Sequence, residues 1–196
     1  MISNGMDFKV ILILNDDSFF YPKVFYKLLA EKKLNIQTVF ILPEFDRNIR
    51  MVRKLDFYIK SMLILGLPLL IRYSFYNVKR FFLLRWGSDM HQKCSLDIEY
   101  CCRFYSIPCY RFQSVNDRGF IAKLLTEPTA SCFYLCSQLY KTESLAPVVE
   151  ILNIHPSLLP LHKGKFPFFW SLFKGTKHGM NFTSVTGIQA TISLGT

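Results

Sequence analysis

The chain begins with short blocks of apolar residues separated by polar, turn-forming strings. Phe8–Leu14 is an Ile- and Val-rich run of strand length, closed by Asn15-Asp16-Asp17-Ser18. Asp17 or Ser18 stands where it can cap the element that follows. From Pro22 to Lys33 the apolar positions Val24, Phe25, Leu28 and Leu29 recur at helical spacing. Asn35 punctuates, and Ile36–Leu42 is a second apolar run of strand length. Strand, helix, strand in that order opens an α/β sheet with parallel neighbours.

Further along, Leu96–Tyr105 has helical spacing, with Asp97 and Glu99 near its start. Ile107–Tyr110 reads as a short strand, Asp117–Leu125 as a helix stopped before Pro128, and Ser131–Cys136 and Val148–Ile154 as two more strands. No repeat, low-complexity tract or linker interrupts the pattern, so the 196 residues are expected to form one domain with a sizeable core.

Arg47–Trp86 differs from the rest. Apolar clusters (Met62–Leu65, Leu67, Leu69–Ile71) alternate with Arg50, Arg53, Lys54, Lys60, Arg72, Lys79, Arg80 and Arg85. The uncharged stretch Ser61–Ile71 contains Pro68 and falls short of the roughly 20 apolar residues a spanning helix needs. The expected structure is a pair of helices packed on the sheet. The other reading is a basic amphipathic surface over residues 50–85 that rests on a membrane or on RNA.

Charge and cysteine usage narrow the class. There are 24 Lys and Arg against 14 Asp and Glu, a net charge of +10, which favours polyanionic partners without choosing among them. With 51% hydrophobic residues, 19 of them Phe, the chain is rich enough in apolar surface to fold. Six Cys occur, none in a CxxC pair, and adjacent Cys101 and Cys102 suit neither a zinc site nor a disulfide framework. With no secretory pattern in the first ten residues, the expectation is reduced thiols in a cytoplasmic protein without a metal. The nine Gly are scattered, so no phosphate-cradling glycine loop is present.

The segment richest in chemistry is Asn153-Ile154-His155-Pro156-Ser157-Leu158-Leu159-Pro160-Leu161-His162-Lys163-Gly164. Asn153 and His155 are two apart at a strand end, so they share a face. In open α/β sheets the ligand crevice lies beyond the carboxyl ends of the strands. A carboxamide N–H can stabilise the oxyanion of an acyl-transfer intermediate, and an imidazole can move protons near neutral pH. Taken alone, the pair suits a structural turn equally well.

The full string is more specific. Asn-Ile-His-Pro-Ser-Leu-Leu-Pro followed by Gly164 resembles the signature of 10-formyltetrahydrofolate-dependent formyltransferases. Pro167 and Trp170-Ser-Leu-Phe-Lys-Gly175 resemble that family's Pro-x-x-Trp-Ala-Leu-x-Asn-Gly segment, and Tyr105-Ser-Ile-Pro108 its Tyr-Gly-Ile-Pro step. Residues 94–179 match in order and residues 8–42 in pattern only; the Trp-containing form is closest to the methionyl-tRNA and sugar-nucleotide formyltransferases.

The resemblance implies a Rossmann-like formyltransferase fold, a mostly parallel α/β sheet flanked by helices, of the N-terminal catalytic type over 1–196 and truncated at its C-terminus. It implies 10-formyltetrahydrofolate as formyl donor and an amine acceptor, either methionyl-tRNA or an amino sugar nucleotide. Asn153 would polarise the formyl oxygen. His155 would stabilise the oxyanion and assist proton transfer. Ser157, Leu158, Leu159 and Pro160 would line the tetrahydrofolate site. Ser137-Gln138 follows the strand Ser131–Cys136, where its backbone groups can border that pocket.

The last stretch departs from the family. Its second His position falls on Thr183, its catalytic Asp on Gln189 and the following Gly on Thr191; no acidic residue occurs after Glu150. Gln can orient an imidazole but cannot stabilise an imidazolium by charge, so a formyltransferase fold that only binds folate or a partner stands beside the active reading. His91, His162 and His178 are expected on the surface or in loops; His162 and Lys163 belong to a solvated loop by default and to contact with an anionic folate tail or phosphate in the alternative. Trp86, Trp170, Cys132 and Cys136 are expected in the core or at its rim.

Overall fold

The computed structural model describes residues 9–17, 21–31, 34–43, 51, 55–56, 59, 63, 66–127, 131–135, 151–155, 174–175, 179–184 and 189–193. Among these residues seven strands form one sheet: β1 (Lys9–Asn15), β2 (Asn35–Leu42), β3 (Cys109–Arg111), β4 (Ser131–Leu135), β5 (Ile151–His155), β6 (Gly179–Ser184) and β7 (Gln189–Ser193). Their spatial order is β3-β2-β1-β4-β5-β6-β7. The first five are parallel, whereas β5–β6 and β6–β7 are antiparallel. Among the described residues the continuous helices are α1 (Tyr21–Ala30), α2 (Leu67–Trp86), α3 (Met90–Cys94), α4 (Ile98–Phe104) and α5 (Arg118–Thr126).

The central strands are apolar runs because both of their faces are covered. Val10, Leu12 and Leu14 of β1 pack with Val39 and Ile41 of β2 under Phe25 and Leu29 of α1 and Ile98, Cys101 and Cys102 of α4. Ile11 and Ile13 face the other way, with Phe40, Leu42, Cys132 and Ile151, beneath Phe120 and Leu124 of α5. Fully burying a side chain such as Phe40 or Phe120 contributes about 2–3 kcal/mol. Thr38, buried on that same face, donates to Glu127 Oε2 (2.6 Å), and Lys123 Nζ lies 2.7 Å from the other carboxylate oxygen.

The caps follow the sequence closely. Asp17 Oδ2 accepts from the Tyr21 amide at the start of α1 (3.1 Å), and Asp97 Oδ1 from Tyr100 N in α4 (3.1 Å). Asp117 precedes α5, yet its carboxylate accepts from Ser114 N (3.0 Å) instead. The short α3, capped by Asp89, was not evident from spacing because it is barely more than one turn. Ser106 has a φ of 56°, a left-handed conformation that closes α4 through Ile107 N to Cys102 O (2.8 Å).

Of the positions that repeat at helical spacing in α1, Phe25 and Leu29 carry the buried face while Val24 is exposed. Two expectations are corrected. Trp86 is exposed, neither core nor rim. The helices expected to pack on the sheet do not bury a face there in α2: each of its residues with described burial is half-buried or exposed. Arg80 ties α2 to the rest, its Nε donating to Leu96 O (2.7 Å) and its Nη2 to Asp97 Oδ2 (2.8 Å). Glycine is needed at Gly87, where a Cβ would sit 2.4 Å from Leu83 O.

Candidate active site at the carboxyl edge of the sheet

The connection from β1 runs to β2 on one side, and the chain later returns to place β4 on the other side of β1. The strand order therefore reverses between β1 and β4, and crevices outside the carboxyl ends at such a point are where open α/β sheets bind ligands. Asn15, Leu42, Arg111, Leu135 and His155 end the five parallel strands on this one edge.

One row of register partners crosses the whole sheet: Tyr110, Phe40, Ile13, Tyr134, Asn153, Thr183 and Gln189. Its character changes along its length. Phe40 and Ile13 are fully buried beside α5, Asn153 is half-buried, and the positions beyond it are polar. One step nearer the carboxyl end of β5, His155 pairs with Asn181, which pairs with Thr191. The backbone thus assigns Asn153, His155, Thr183, Asn181, Gln189 and Thr191 to one face of three adjacent strands. Positions 153 and 189 are two strand spacings apart, about 10 Å.

β6 and β7 had no counterpart in the reading by periodicity, although a signal is present. Met180 and Phe182 alternate with Asn181 and Thr183, and Ala190 and Ile192 alternate with Gln189 and Thr191. The two-residue period is that of a strand with one polar and one apolar face. Ser157, Leu158, Leu159, Pro160, Ser137, Gln138, Cys136, His162, Lys163, Trp170 and His178 lie outside the described residues.

A second group at this edge was not legible in the sequence. Asp16 follows β1, its amide donating to Leu42 O (2.6 Å). Arg111, ending β3, reaches across β2 so that Nη1 contacts Asp16 Oδ2 (2.5 Å), while its Nε donates to Glu99 of α4. Arg103 Nη2 lies 3.9 Å from the other Glu99 oxygen. Burial works against the charged form of Arg111, but the two carboxylates outweigh it and raise its pKa. The guanidinium thus stays a fixed positive charge clamping the ends of β1 and β3. Ninety-five residues separate Arg111 from Asp16, so local spacing carries no trace of the pair.

The described cysteines are free thiols. Burial pushes Cys132 up to about 12 and also raises Cys101, so neither supplies a thiolate near neutral pH. Among the described residues no three His, Cys, Asp or Glu side chains gather into a metal site. His91 is exposed on α3, as its sequence context suggested, with Nδ1 2.9 Å from Tyr26 Oη.

No protein-family model matches the chain, and no curated protein matches it in sequence. Solved structures match over nearly all of its length. Phosphoribosylglycinamide formyltransferase from Anaplasma phagocytophilum does so with a TM-score of 0.51 and 14% identity, over 95% of this chain and 72% of that one. The enzyme of that name from Bacillus halodurans gives 0.48 and 12%, over 95% and 80%. A 4-N formyltransferase from Francisella tularensis gives 0.45 and 15%, over 97% and 59%. The first carries the comparison and shows the fold: a Rossmann-like α/β sheet of the formyltransferase type.

Proposed function

We propose that the chain binds 10-formyltetrahydrofolate and passes its formyl group to an amine, with Asn153 and His155 meeting the formyl oxygen. The observation that carries this reading is their shared face at the carboxyl end of β5, next to the point where strand order reverses. The amine nitrogen forms the new C–N bond, the bond from the formyl carbon to the folate nitrogen breaks, and that nitrogen takes up the proton the amine loses. The Asn153 amide N–H stabilises the oxyanion between these two events, and the imidazole of His155 donates to it or carries the proton. Ser157, Leu158, Leu159 and Pro160 line the folate site in this reading.

The acceptor is an amine on a phosphate-bearing carrier. The net charge of +10 supports this, and methionyl-tRNA and amino sugar nucleotides both fit. Phosphoribosylglycinamide, which the name of the Anaplasma enzyme carries, is likewise an amine on a phosphate-bearing carrier.

One observation favours a second reading, a folate-binding protein without turnover. The row through Asn153 ends on Gln189, and the row through His155 on Thr191, so neither ends on a carboxylate. Replacing the carboxylate of a triad by its amide costs about four orders of magnitude in rate elsewhere. The test is tetrahydrofolate release from 10-formyltetrahydrofolate with each acceptor, in the parent, His155→Ala and Gln189→Asp chains. Active chemistry predicts turnover that His155→Ala abolishes and Gln189→Asp raises by roughly 10²- to 10⁴-fold. Folate binding by calorimetry with no release in any of the three supports the binding-only reading. Turnover unaffected by His155→Ala refutes the assignment of the pair.

A further inference from the structure

Helix α2 has a face that the fold leaves uncovered. Tyr76, Arg80, Leu83 and Leu84 are half-buried and mark its inner side, which Arg80 fastens to Leu96 and Asp97. On the opposite side Leu67, Ile71, Phe75, Val78, Phe82 and Trp86 follow one another at intervals of three or four residues. All six are between 48% and 72% exposed. Residues at these intervals form one continuous stripe, about 28 Å long over this helix. Before the break at Gly66 (φ 76°), Met51, Leu55, Ile59 and Leu63 are also helical and exposed.

A monomer rarely leaves so long an apolar surface open to water without a use. Charge decides what kind of partner suits it. Residues 50–86 hold eight Lys and Arg and one Asp, most of the net charge of the chain. Arg72 and Lys79 flank the stripe on one side and Arg85 on the other, all exposed. Docking two copies through this face would set basic flank against basic flank. An RNA would use the cations but gain little from Leu, Ile and Val. Phe82 stacks on Trp86 (5.2 Å) with Phe81 edge-on to it (6.1 Å), an exposed aromatic group of the type that partitions into the interface of a bilayer. Among the described residues no helix is long and apolar enough to cross a membrane.

We propose that α2 lies in the plane of an anionic lipid surface, its stripe in the boundary between headgroups and acyl chains and its basic flanks on the lipid phosphates. This goes beyond formyl transfer and does not depend on it. The experiment is co-sedimentation of the full chain with phosphatidylcholine vesicles, with and without phosphatidylserine, alongside gel filtration without vesicles. Two variants accompany the parent: Phe82→Gln/Trp86→Gln and Arg72→Ser/Lys79→Ser/Arg85→Ser. Because these side chains are exposed, both are expected to melt like the parent.

Binding should require phosphatidylserine and weaken as salt rises. The apolar variant should lose roughly tenfold or more, and the basic variant about fivefold per residue. The proposal is overturned if the parent does not sediment, if neutral vesicles bind it equally, or if the variants bind unchanged. It is also overturned if the stripe variant instead turns a dimer into a monomer, or if the chain retains a homopolymeric RNA through Arg72, Lys79 and Arg85 without binding vesicles.

Discussion

Two phenylalanines test how this protein divides its apolar residues between core and surface. Phe120 of α5 has no exposed surface and stands edge-on to Phe40 (5.4 Å) and Phe112 (5.6 Å). Phe75 of α2 is exposed to solvent. Truncating a buried Phe to Ala removes its transfer free energy and leaves a cavity, together about 3–5 kcal/mol. Each edge-to-face pair adds about 0.5–1.5 kcal/mol beyond area, which places Phe120→Ala in the upper part of that range. At about 2–4 °C per kcal/mol for a domain of this size, melting should fall by roughly 6–20 °C. Phe75→Ala should change stability by no more than about 0.5 kcal/mol. Urea unfolding followed by far-UV circular dichroism reads both, with the midpoint shifting and the slope unchanged. Equal losses for the two variants would refute the placement of α2 with its stripe in solvent. A loss under about 1 kcal/mol for Phe120→Ala would refute the aromatic cluster as a structural centre.

Two further outcomes follow from local geometry. Ser106 holds a left-handed backbone that costs an L-residue about 1–2 kcal/mol, partly offset by the stiffer unfolded chain; Ser106→Gly should raise the melting temperature by a few degrees, and a fall would show that the hydroxyl matters more than the backbone. Glu127 titrates below its ordinary 4.5, because the hydrogen bonds from Lys123 and Thr38 outweigh the effect of burial. Its contribution is complete above the unfolded-state value and disappears as pH falls through the native one. Glu127→Gln should therefore be less stable than the parent at neutral pH and converge with it in acid; a gap that persists across the acid range in thermal melts refutes that linkage.

The parallel half of the fold was legible because strands covered on both faces are written as unbroken apolar runs. Val10–Leu14 and Val39–Leu42 are of this kind, and each borders a helix with an Asp or Asn in its connection. The direction of α2 was not legible. Its sequence is apolar on both sides of the wheel, so spacing alone does not say whether Leu83 and Leu84 or Phe75 and Phe82 turn inward. The tie from Arg80 to Asp97, seventeen residues on, decides it. Asn153 and His155 stood out as candidates through their two-residue spacing and the string around them. The row that joins Asn153 to Thr183 and Gln189 depends on antiparallel register, which only pairing reveals. The Asp16–Arg111 clamp is a contact between the ends of two strands that are not even neighbours.

The position of β1 in the centre of the sheet has a consequence for how the chain is made. One of its partners, β2, emerges from the ribosome almost at once, but the other, β4, begins some 120 residues later, with Val10 pairing to Ser131. At typical rates of synthesis that is a wait of roughly 6–24 s. Throughout it one edge of β1 has no native partner, and for most of it the face of Ile11 and Ile13 also lacks its cover, α5. The nascent protein is thus an incomplete sheet for much longer than a folding domain needs, and it is in this interval that a chaperone holding apolar segments would matter most to its yield.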